Sequence, residues 1–162
     1  MPDDIERYYW DSCVFLSYIQ NLAHRAGEIE AHLQKAADGK LEIVTSTVSI
    51  VEVAFDQQEK AGKVLSVEAE ERIRNLWLPP SPVKLAEFHA LIAENARQLL
   101  REAMASALGL KPMDAIHLAT AILLGIDVFH TYDSGLKKFE SMTGLKIREP
   151  LLPQPSLDLP PG

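Results

Sequence analysis

Cysteine is almost absent from this chain, which has one, Cys13, among its 162 residues. A single cysteine excludes an internal disulfide, and it has no CxxC or Cys/His partner that would indicate a zinc site. Long apolar runs are missing as well, since none approaches the roughly 18 to 20 residues that a membrane span requires. Residues 1–4 are acidic where a secretory signal would be basic. We therefore expect a soluble, cytoplasmic protein that contacts no membrane.

An excess of basic residues is also missing. The chain has 16 Lys and Arg against 23 Asp and Glu, which gives a formal net charge of −7. This balance counts against a protein that grips nucleic acid chiefly through its phosphates. It does not exclude an enzyme that acts on nucleic acid through metal ions, because bound cations restore a local attraction for phosphate.

What the chain does have is enough apolar material for one core. With 162 residues, 47% of them hydrophobic, it has the usual size of a single domain. Prolines cluster after residue 149, at positions that include Pro153, Pro155, Pro160 and Pro161. The sequence therefore predicts one domain over residues 1–150 and a proline-rich tail over residues 151–162.

Strand-like and helix-like segments alternate along the chain. The predicted strands are residues 8–10, 41–44, 83–86, 126–133 and 146–148. Helices are predicted from residue 14 and over 25–37, 47–60, 67–77, 88–107, 111–121 and 136–142, with Leu91, Ile92, Leu99 and Leu100 facing inward. Because parallel strands need a crossover that is usually helical, this pattern indicates an α/β fold. We predict a three-layer α/β/α domain with a central, mostly parallel sheet.

Four acidic residues fall where such a fold would bring them together. Asp11 follows the first strand, and Asp133 ends the run 126–133. Asp114 lies in the first turn of its helix, and Glu52 lies less than two turns into another, among apolar neighbours. In open parallel sheets the functional crevice lies beyond the carboxyl ends of the strands. All four carboxylates are therefore predicted to reach that crevice.

Each acid also has an ordinary structural explanation. Asp11 suits a helix cap, Asp114 suits the positive end of a helix dipole, Asp133 suits a turn, and Glu52 suits a helix edge. Together, however, two carboxylates about 4 Å apart repel by roughly 4 kcal/mol at an effective dielectric constant near 20. A divalent cation removes that repulsion, and ligands that are all oxygen atoms suit Mg²⁺ or Mn²⁺.

At this point the chain resembles a known family, the PIN domain, from about residue 8 to residue 148. The resemblance is carried, in this order along the chain, by Asp11-Ser12, Thr45-Ser46, Glu52, Asp114-Ala115-Ile116-His117-Leu118-Ala119 and Thr131-Tyr132-Asp133. Within the family the chain is most similar to the VapC-type toxins of toxin–antitoxin pairs, which are small metal-dependent endoribonucleases.

The resemblance implies a site, a substrate and partners. Asp11, Glu52, Asp114 and Asp133 would ligate Mg²⁺ or Mn²⁺, supported by Ser12, Ser46 or Thr131. The substrate would be RNA, cleaved by phosphodiester hydrolysis. A small antitoxin would hold the protein inactive, and the protein would form a homodimer.

Three alternatives stay open at this stage. The family commonly has Asn two residues after the first Asp, where this chain has Cys13, so the domain could be a PIN-like scaffold or RNA-binding module without turnover. A phosphoacceptor receiver domain is also α/β with clustered acids, although its acidic pair would follow the first strand. His117 shares a helix face with Asp114 and is either a neutral histidine packed under the sheet or a general base.

Overall fold

The chain folds around a five-stranded sheet in which every neighbouring pair of strands is parallel. The computed structural model describes residues 5–57, 61–64 and 66–151. The strands are β1 Glu6–Trp10, β2 Leu41–Ser46, β3 Lys84–Ala86, β4 Val128–His130 and β5 Lys146–Arg148. Their spatial order is β3-β2-β1-β4-β5, so β1 lies at the centre and β3 and β5 form the edges.

Helices cover both faces of this sheet. They are α1 Ser12–Ile19, α2 Ala23–Ala37, α3 Val48–Gln57, α4 Val67–Arg74, α5 Ala90–Ala105, α6 Pro112–Leu123 and α7 Glu140–Thr143, and a 3-10 helix, Ser134–Phe139, precedes α7. Residues of α1 to α4 pack in one buried cluster, and residues of α5 and α6 pack in the other. The predicted three-layer α/β/α fold is therefore confirmed. Within the described ranges, no helix combines the length and the apolar character needed to cross a bilayer.

Alternation along the strands explains the two cores. Tyr9 and Phe129 point toward α5 and α6, whereas Trp10 and Ile43, one position out of phase, point toward α1 to α4. Successive strand side chains lie on opposite faces of a sheet, so a strand buried on both faces is apolar or aromatic at consecutive positions. The aromatic run at residues 8–10 is therefore the mark of a central strand.

The structure corrects several predicted elements. The strand predicted over 126–133 is only Val128–His130, because Asp133 turns the chain into the 3-10 helix. The helix predicted over 136–142 is this 3-10 helix followed by one α-helical turn. Leu91, predicted to face inward, is 49% exposed, while Ile92 and Leu99 are buried.

Two predicted segments lie outside the described residues. They are residues 58–60, at the end of the third predicted helix, and residues 152–162, in the predicted tail. The domain boundary at residue 150 stays a prediction.

Candidate active site

Asp11 is the most buried of the four predicted carboxylates. It follows β1 directly and is 4% exposed. Its Oδ1 accepts a hydrogen bond from the Cys13 thiol at 2.8 Å, and its Oδ2 accepts one from the Thr131 hydroxyl at 2.6 Å. Asp11 occupies the N-cap position of α1, yet its side chain makes no capping bond. The ordinary explanation for Asp11 is therefore wrong, because both carboxyl oxygens are engaged elsewhere. Burial raises the pKa of this carboxyl above its usual range.

Asp114 shares its electrostatic environment with the other three acids. It lies in the first turn of α6, behind Pro112 at the start of that helix. Burial is the main reason that its pKa is raised to about 6, and the negative charges of Asp11, Asp133 and Glu52 raise it further. A charge influences a pKa in this way only from nearby. The fold therefore brings Asp11 and Asp114, which are 103 positions apart in the sequence, to one end of the sheet.

Glu52 is held in place by a chain of hydrogen bonds. Its Oε1 lies 2.5 Å from Nε2 of His117, and Nδ1 of that ring lies 2.6 Å from the Tyr9 hydroxyl. The backbone N–H of Ser46 donates to the same hydroxyl at 3.1 Å. The Glu52 carboxylate can only accept, so Nε2 of His117 carries a proton and donates to it. The Tyr9 hydroxyl accepts from Ser46 and contacts Nδ1 of the same ring.

This chain of bonds joins β1, β2, α3 and α6. His117 is 1% exposed and Tyr9 is fully buried, so the histidine is packed in the interior, as one of the two interpretations of the sequence had it. Sequence reasoning missed the contact of His117 with Glu52 and the part played by Tyr9. The sequence did contain an indication for Tyr9, because a tyrosine on the buried face of a central strand needs a polar partner for its hydroxyl.

Asp133 is exposed and lies at the start of the 3-10 helix. Its Oδ1 accepts from the backbone N–H of Gly135 at 2.9 Å, so the turn role weighed from the sequence is present. The backbone N–H of Asp133 donates to the Thr131 hydroxyl at 3.0 Å. Thr131 therefore links Asp133 to Asp11, and the turn orients Asp133 without removing it from the site.

The two serines predicted to support the site behave differently from Thr131. Ser46 is buried, and its hydroxyl accepts from the backbone N–H of Val48 at 3.3 Å, at the start of α3. It acts on the helix that carries Glu52, and among the described residues its hydroxyl forms no hydrogen bond with a carboxylate. Ser12 begins α1 and is half-buried. In the described part of the chain its hydroxyl makes no hydrogen bond.

Cys13 belongs to the site. Besides donating to Asp11, its sulfur accepts from the backbone N–H of Tyr132 at 3.2 Å and lies 3.2 Å from the Thr131 hydroxyl. The interpretation of Cys13 as a small core residue is therefore incomplete. The thiol fills a position where the resemblance led us to expect an amide, and it still supplies a hydrogen-bond donor to Asp11.

Replacing Cys13 with Ala is expected to lower the free energy of unfolding at pH 7 by about 1 to 3 kcal/mol, because a buried carboxylate loses a donor and a buried N–H loses its acceptor. Urea denaturation measures this quantity. The matched control is Cys13→Asn, whose amide supplies both a donor and an acceptor and should lose less. Equal stability of Cys13→Ala and the parent protein would show that the thiol contacts contribute nothing.

The four carboxylates do not form a closed set of metal ligands. Across residues 5–57, 61–64 and 66–151, no group of three or more His, Cys, Asp or Glu side chains is close enough to hold a metal ion. The donor chemistry nevertheless suits a hard cation, because the acids present only oxygen atoms and the nearby thiol is engaged with Asp11.

Comparison with known proteins identifies the class. A family model for the PIN domain matches residues 8–141, which is most of the chain. The chain therefore belongs to the PIN domain family, and this assignment replaces the receiver-domain alternative. No curated protein sequence matches the chain significantly.

Solved structures with the same fold come from toxin–antitoxin systems. VapBC2 from Rickettsia felis, bound to a DNA fragment from its promoter, has a TM-score of 0.66 and 15% identity, covering 88% of this chain and 98% of that chain. VapC20 from Mycobacterium tuberculosis, a sarcin-ricin loop cleaving toxin, has a TM-score of 0.60 and 16% identity, covering 78% and 90%. A toxin–antitoxin complex from Klebsiella pneumoniae has a TM-score of 0.60 and 21% identity, covering 89% and 98%. At these identities the likeness shows the fold alone.

Proposed function

We propose that the protein is a metal-dependent endoribonuclease that hydrolyses phosphodiester bonds of RNA, and that it is the toxin of a toxin–antitoxin pair. Membership of the PIN domain family supports this proposal. The observation that carries it is the arrangement of the acids: Thr131 links Asp11 to Asp133. On α6, His117 lies three residues after Asp114 and is hydrogen-bonded to Glu52. Acids that lie together at one edge of a sheet repel one another, and this repulsion destabilises the fold. A bound cation neutralises their charge and removes the repulsion.

Asp11, Glu52, Asp114 and Asp133 would hold the cation, which we propose to be Mg²⁺ or Mn²⁺. When bound, such an ion activates water as a nucleophile and neutralises charge on phosphate oxygens. The protein's own groups prepare the ligands. Thr131 and Cys13 orient Asp11, and His117 orients Glu52. With a pKa of about 6, Asp114 is mostly ionised at pH 7 and ready to accept a cation.

The proposal is tested with purified protein and a single-stranded RNA. We expect cleavage in millimolar Mg²⁺ or Mn²⁺, none in EDTA, and recovery when the metal is restored. Sequencing the new RNA ends then gives the cleavage site. Cleavage that persists in EDTA would contradict the assignment of a metal to the four acids.

A second candidate is a PIN-like scaffold or RNA-binding module without turnover. Cys13 in place of the expected amide favours it, as does the lack of a closed ligand group among the residues described. Calorimetric titration with Mn²⁺ separates the two candidates. No binding of Mn²⁺ at millimolar concentration favours the module, whereas binding together with RNA cleavage favours the nuclease.

We also propose two protein partners and a cytoplasmic location. A small antitoxin is supported by structural neighbours that are toxin–antitoxin complexes, such as the one from Klebsiella pneumoniae. A homodimer is supported by exposed apolar side chains on α3 and near β3, namely Val51, Phe55, Leu85 and Phe88. These segments adjoin, because the backbone N–H of Phe88 donates to the Thr47 hydroxyl. Light scattering of the isolated chain measures the dimer, and a monomeric mass would contradict it.

A further inference from the structure

A second cavity lies away from the four acids, between α2 and the half of the sheet formed by β1, β4 and β5. We propose that it binds a phosphorylated nucleoside, with the phosphate at its lysine and arginine side chains and the base at its two histidines. The cavity has a volume of about 600 Å³, within the usual range of ligand pockets. The lining residues used below are Tyr8, His32, Lys35, Lys40, His130 and Arg148.

The topology explains why the cavity exists. On β4 and β5, Phe129 and Ile147 point into the core under α5 and α6. His130 and Arg148, each one position further along, therefore point to the opposite face. The helices on that face pack over the other half of the sheet, where α2 contacts β2. The strands β4 and β5 are left with polar side chains facing an opening.

The two histidines present complementary hydrogen-bonding groups. The indole N–H of Trp10 donates to Nδ1 of His130 at 2.9 Å, so the ring proton of His130 is on Nε2. Nδ1 of His32 lies 2.8 Å from the carbonyl oxygen of Glu28, which can only accept, so Nε2 of His32 is a free acceptor. The ring centroids are 5.5 Å apart. The two rings are nearly perpendicular, at 82°. A donor and an acceptor therefore lie on neighbouring rings that line the same cavity.

Both histidines line the cavity. His130 is 2% exposed and His32 is 7% exposed, and neither Nε2 has a hydrogen-bond partner in the described part of the chain. Buried polar groups normally have partners, and a ligand in the cavity would supply them.

The charges around the cavity favour an anion. Lys35, Lys40 and Arg148 outnumber the carboxylates of Glu6 and Glu149, in a chain whose net charge is −7. None of the three cations forms an ion pair within the residues described. Glu6 is engaged by the Tyr8 hydroxyl. Phosphate, with its charge and its acceptor oxygens, suits such a group of cations.

The cations and the histidines lie close together. Burial lowers the pKa of His32, and the charge of Lys35 lowers it further. Burial also lowers the pKa of His130 to about 3, with contributions from His32 and Arg148. Both rings are therefore neutral at pH 7 and keep the donor and the acceptor deduced above.

A nucleotide matches both halves of the cavity. Inorganic phosphate would satisfy the cations and leave the two imidazole nitrogens unpaired. The edge of uracil or guanine carries an N–H beside a C=O, which is the complement of an acceptor beside a donor. A nucleoside without phosphate would leave the cations unpaired. Binding therefore needs the base and the phosphate in one molecule.

The nucleotide could be free or part of an RNA strand. A smaller cavity of about 290 Å³, lined by Thr131, Asp133 and Lys137, shares Arg148, Glu149 and Leu151 with the first. The segment that follows β5 thus lines both cavities. One nucleotide of a strand in the large cavity would place its neighbours toward the carboxylates; this extension alone rests on the proposed nuclease function.

The test is calorimetric titration of the full chain at pH 7 in EDTA, so that metal binding and cleavage play no part. The probes are uridine 5′-monophosphate, uridine and inorganic phosphate. We expect the nucleotide to bind at least tenfold more tightly than either part. The double variant Lys35→Gln/Lys40→Gln should weaken nucleotide binding at least tenfold, because charge-assisted hydrogen bonds are lost. Circular dichroism checks that the variant is folded.

The matched control is Lys146→Gln, which removes a lysine from β5 that lines a different cavity and should leave binding unchanged. A short oligoribonucleotide distinguishes the two sources of the ligand. Binding tenfold tighter than the mononucleotide identifies an RNA strand, and equal binding identifies a free nucleotide. Equal affinity for phosphate and nucleotide, or undiminished binding by the double variant, would overturn the proposal. Because these measurements contain no cleavage step, a failed RNA cleavage assay leaves them interpretable.

Discussion

Asp114→Asn is expected to reduce metal-dependent RNA cleavage by on the order of a thousandfold or more while the protein stays folded. Asn keeps the size and shape of the side chain at the first turn of α6 and removes only its charge. The cation would lose one anionic ligand. Initial rates with saturating Mn²⁺, compared with the parent protein on the same RNA, measure the effect.

The same variant should not weaken the fold. The pKa of Asp114 is raised to about 6, above the value of an unfolded chain, so the ionised side chain opposes folding at pH 7. Removing the charge therefore leaves the free energy of unfolding unchanged or slightly higher. The control is Asp127→Asn, an exposed acid before β4 whose loss should change neither property. Undiminished cleavage by Asp114→Asn would reject the four-acid site.

The second large effect is a loss of stability in acid caused by His130. Its folded pKa is about 3, well below the 6.5 of an unfolded histidine, because burial and the nearby cation of Arg148 disfavour its charged form. Below pH 6.5 the unfolded chain takes up a proton that the folded protein excludes. Stability from this group is complete above pH 6.5 and is lost as the pH falls toward 3.

The expected size of this loss follows from about 1.4 kcal/mol for each pH unit, or on the order of 3 kcal/mol by pH 4. Urea denaturation at a series of pH values measures it. His130→Asn is the control, because its amide oxygen can still accept from Trp10 but does not titrate. Groups with raised pKa values, such as Asp11, make the folded protein more stable as the pH falls. Because they are present in both proteins, their effect cancels when the two pH profiles are compared. Parallel pH profiles for the two proteins would contradict the buried, neutral His130.

The sequence predicted the sheet well because its signals are local. Aromatic residues at consecutive positions of β1 and the alternation of strands with helices are both visible in short windows. Leu91 shows the limit of such signals. Its spacing suits the buried face of α5, yet only the packing of α6 against α5 decides which apolar residues are covered.

The role of the four acids stays a prediction. Asp11, Asp114 and Asp133 lie at the ends of strands and helices, where a charged residue differs from its apolar neighbours. Among the side chains that contact the acids, Thr131 was predicted as a support, but His117 and Cys13 were not. His117 meets Glu52 across 65 residues, and Cys13 looks like a small core residue until Tyr132 is folded against it. His32 and His130 are likewise joined only by the topology of the sheet.

The hydrogen bond from Thr131 to Asp11 spans 120 residues, and this separation affects the protein while it is being synthesised. Asp11 leaves the ribosome early, but its hydroxyl donor is among the last parts of the domain to be translated. The same is true of Asp114 and His117, which come from the final third of the polypeptide. A nascent chain, or one truncated before β4, therefore has no assembled site, so the proposed site forms only when translation of the domain is nearly complete.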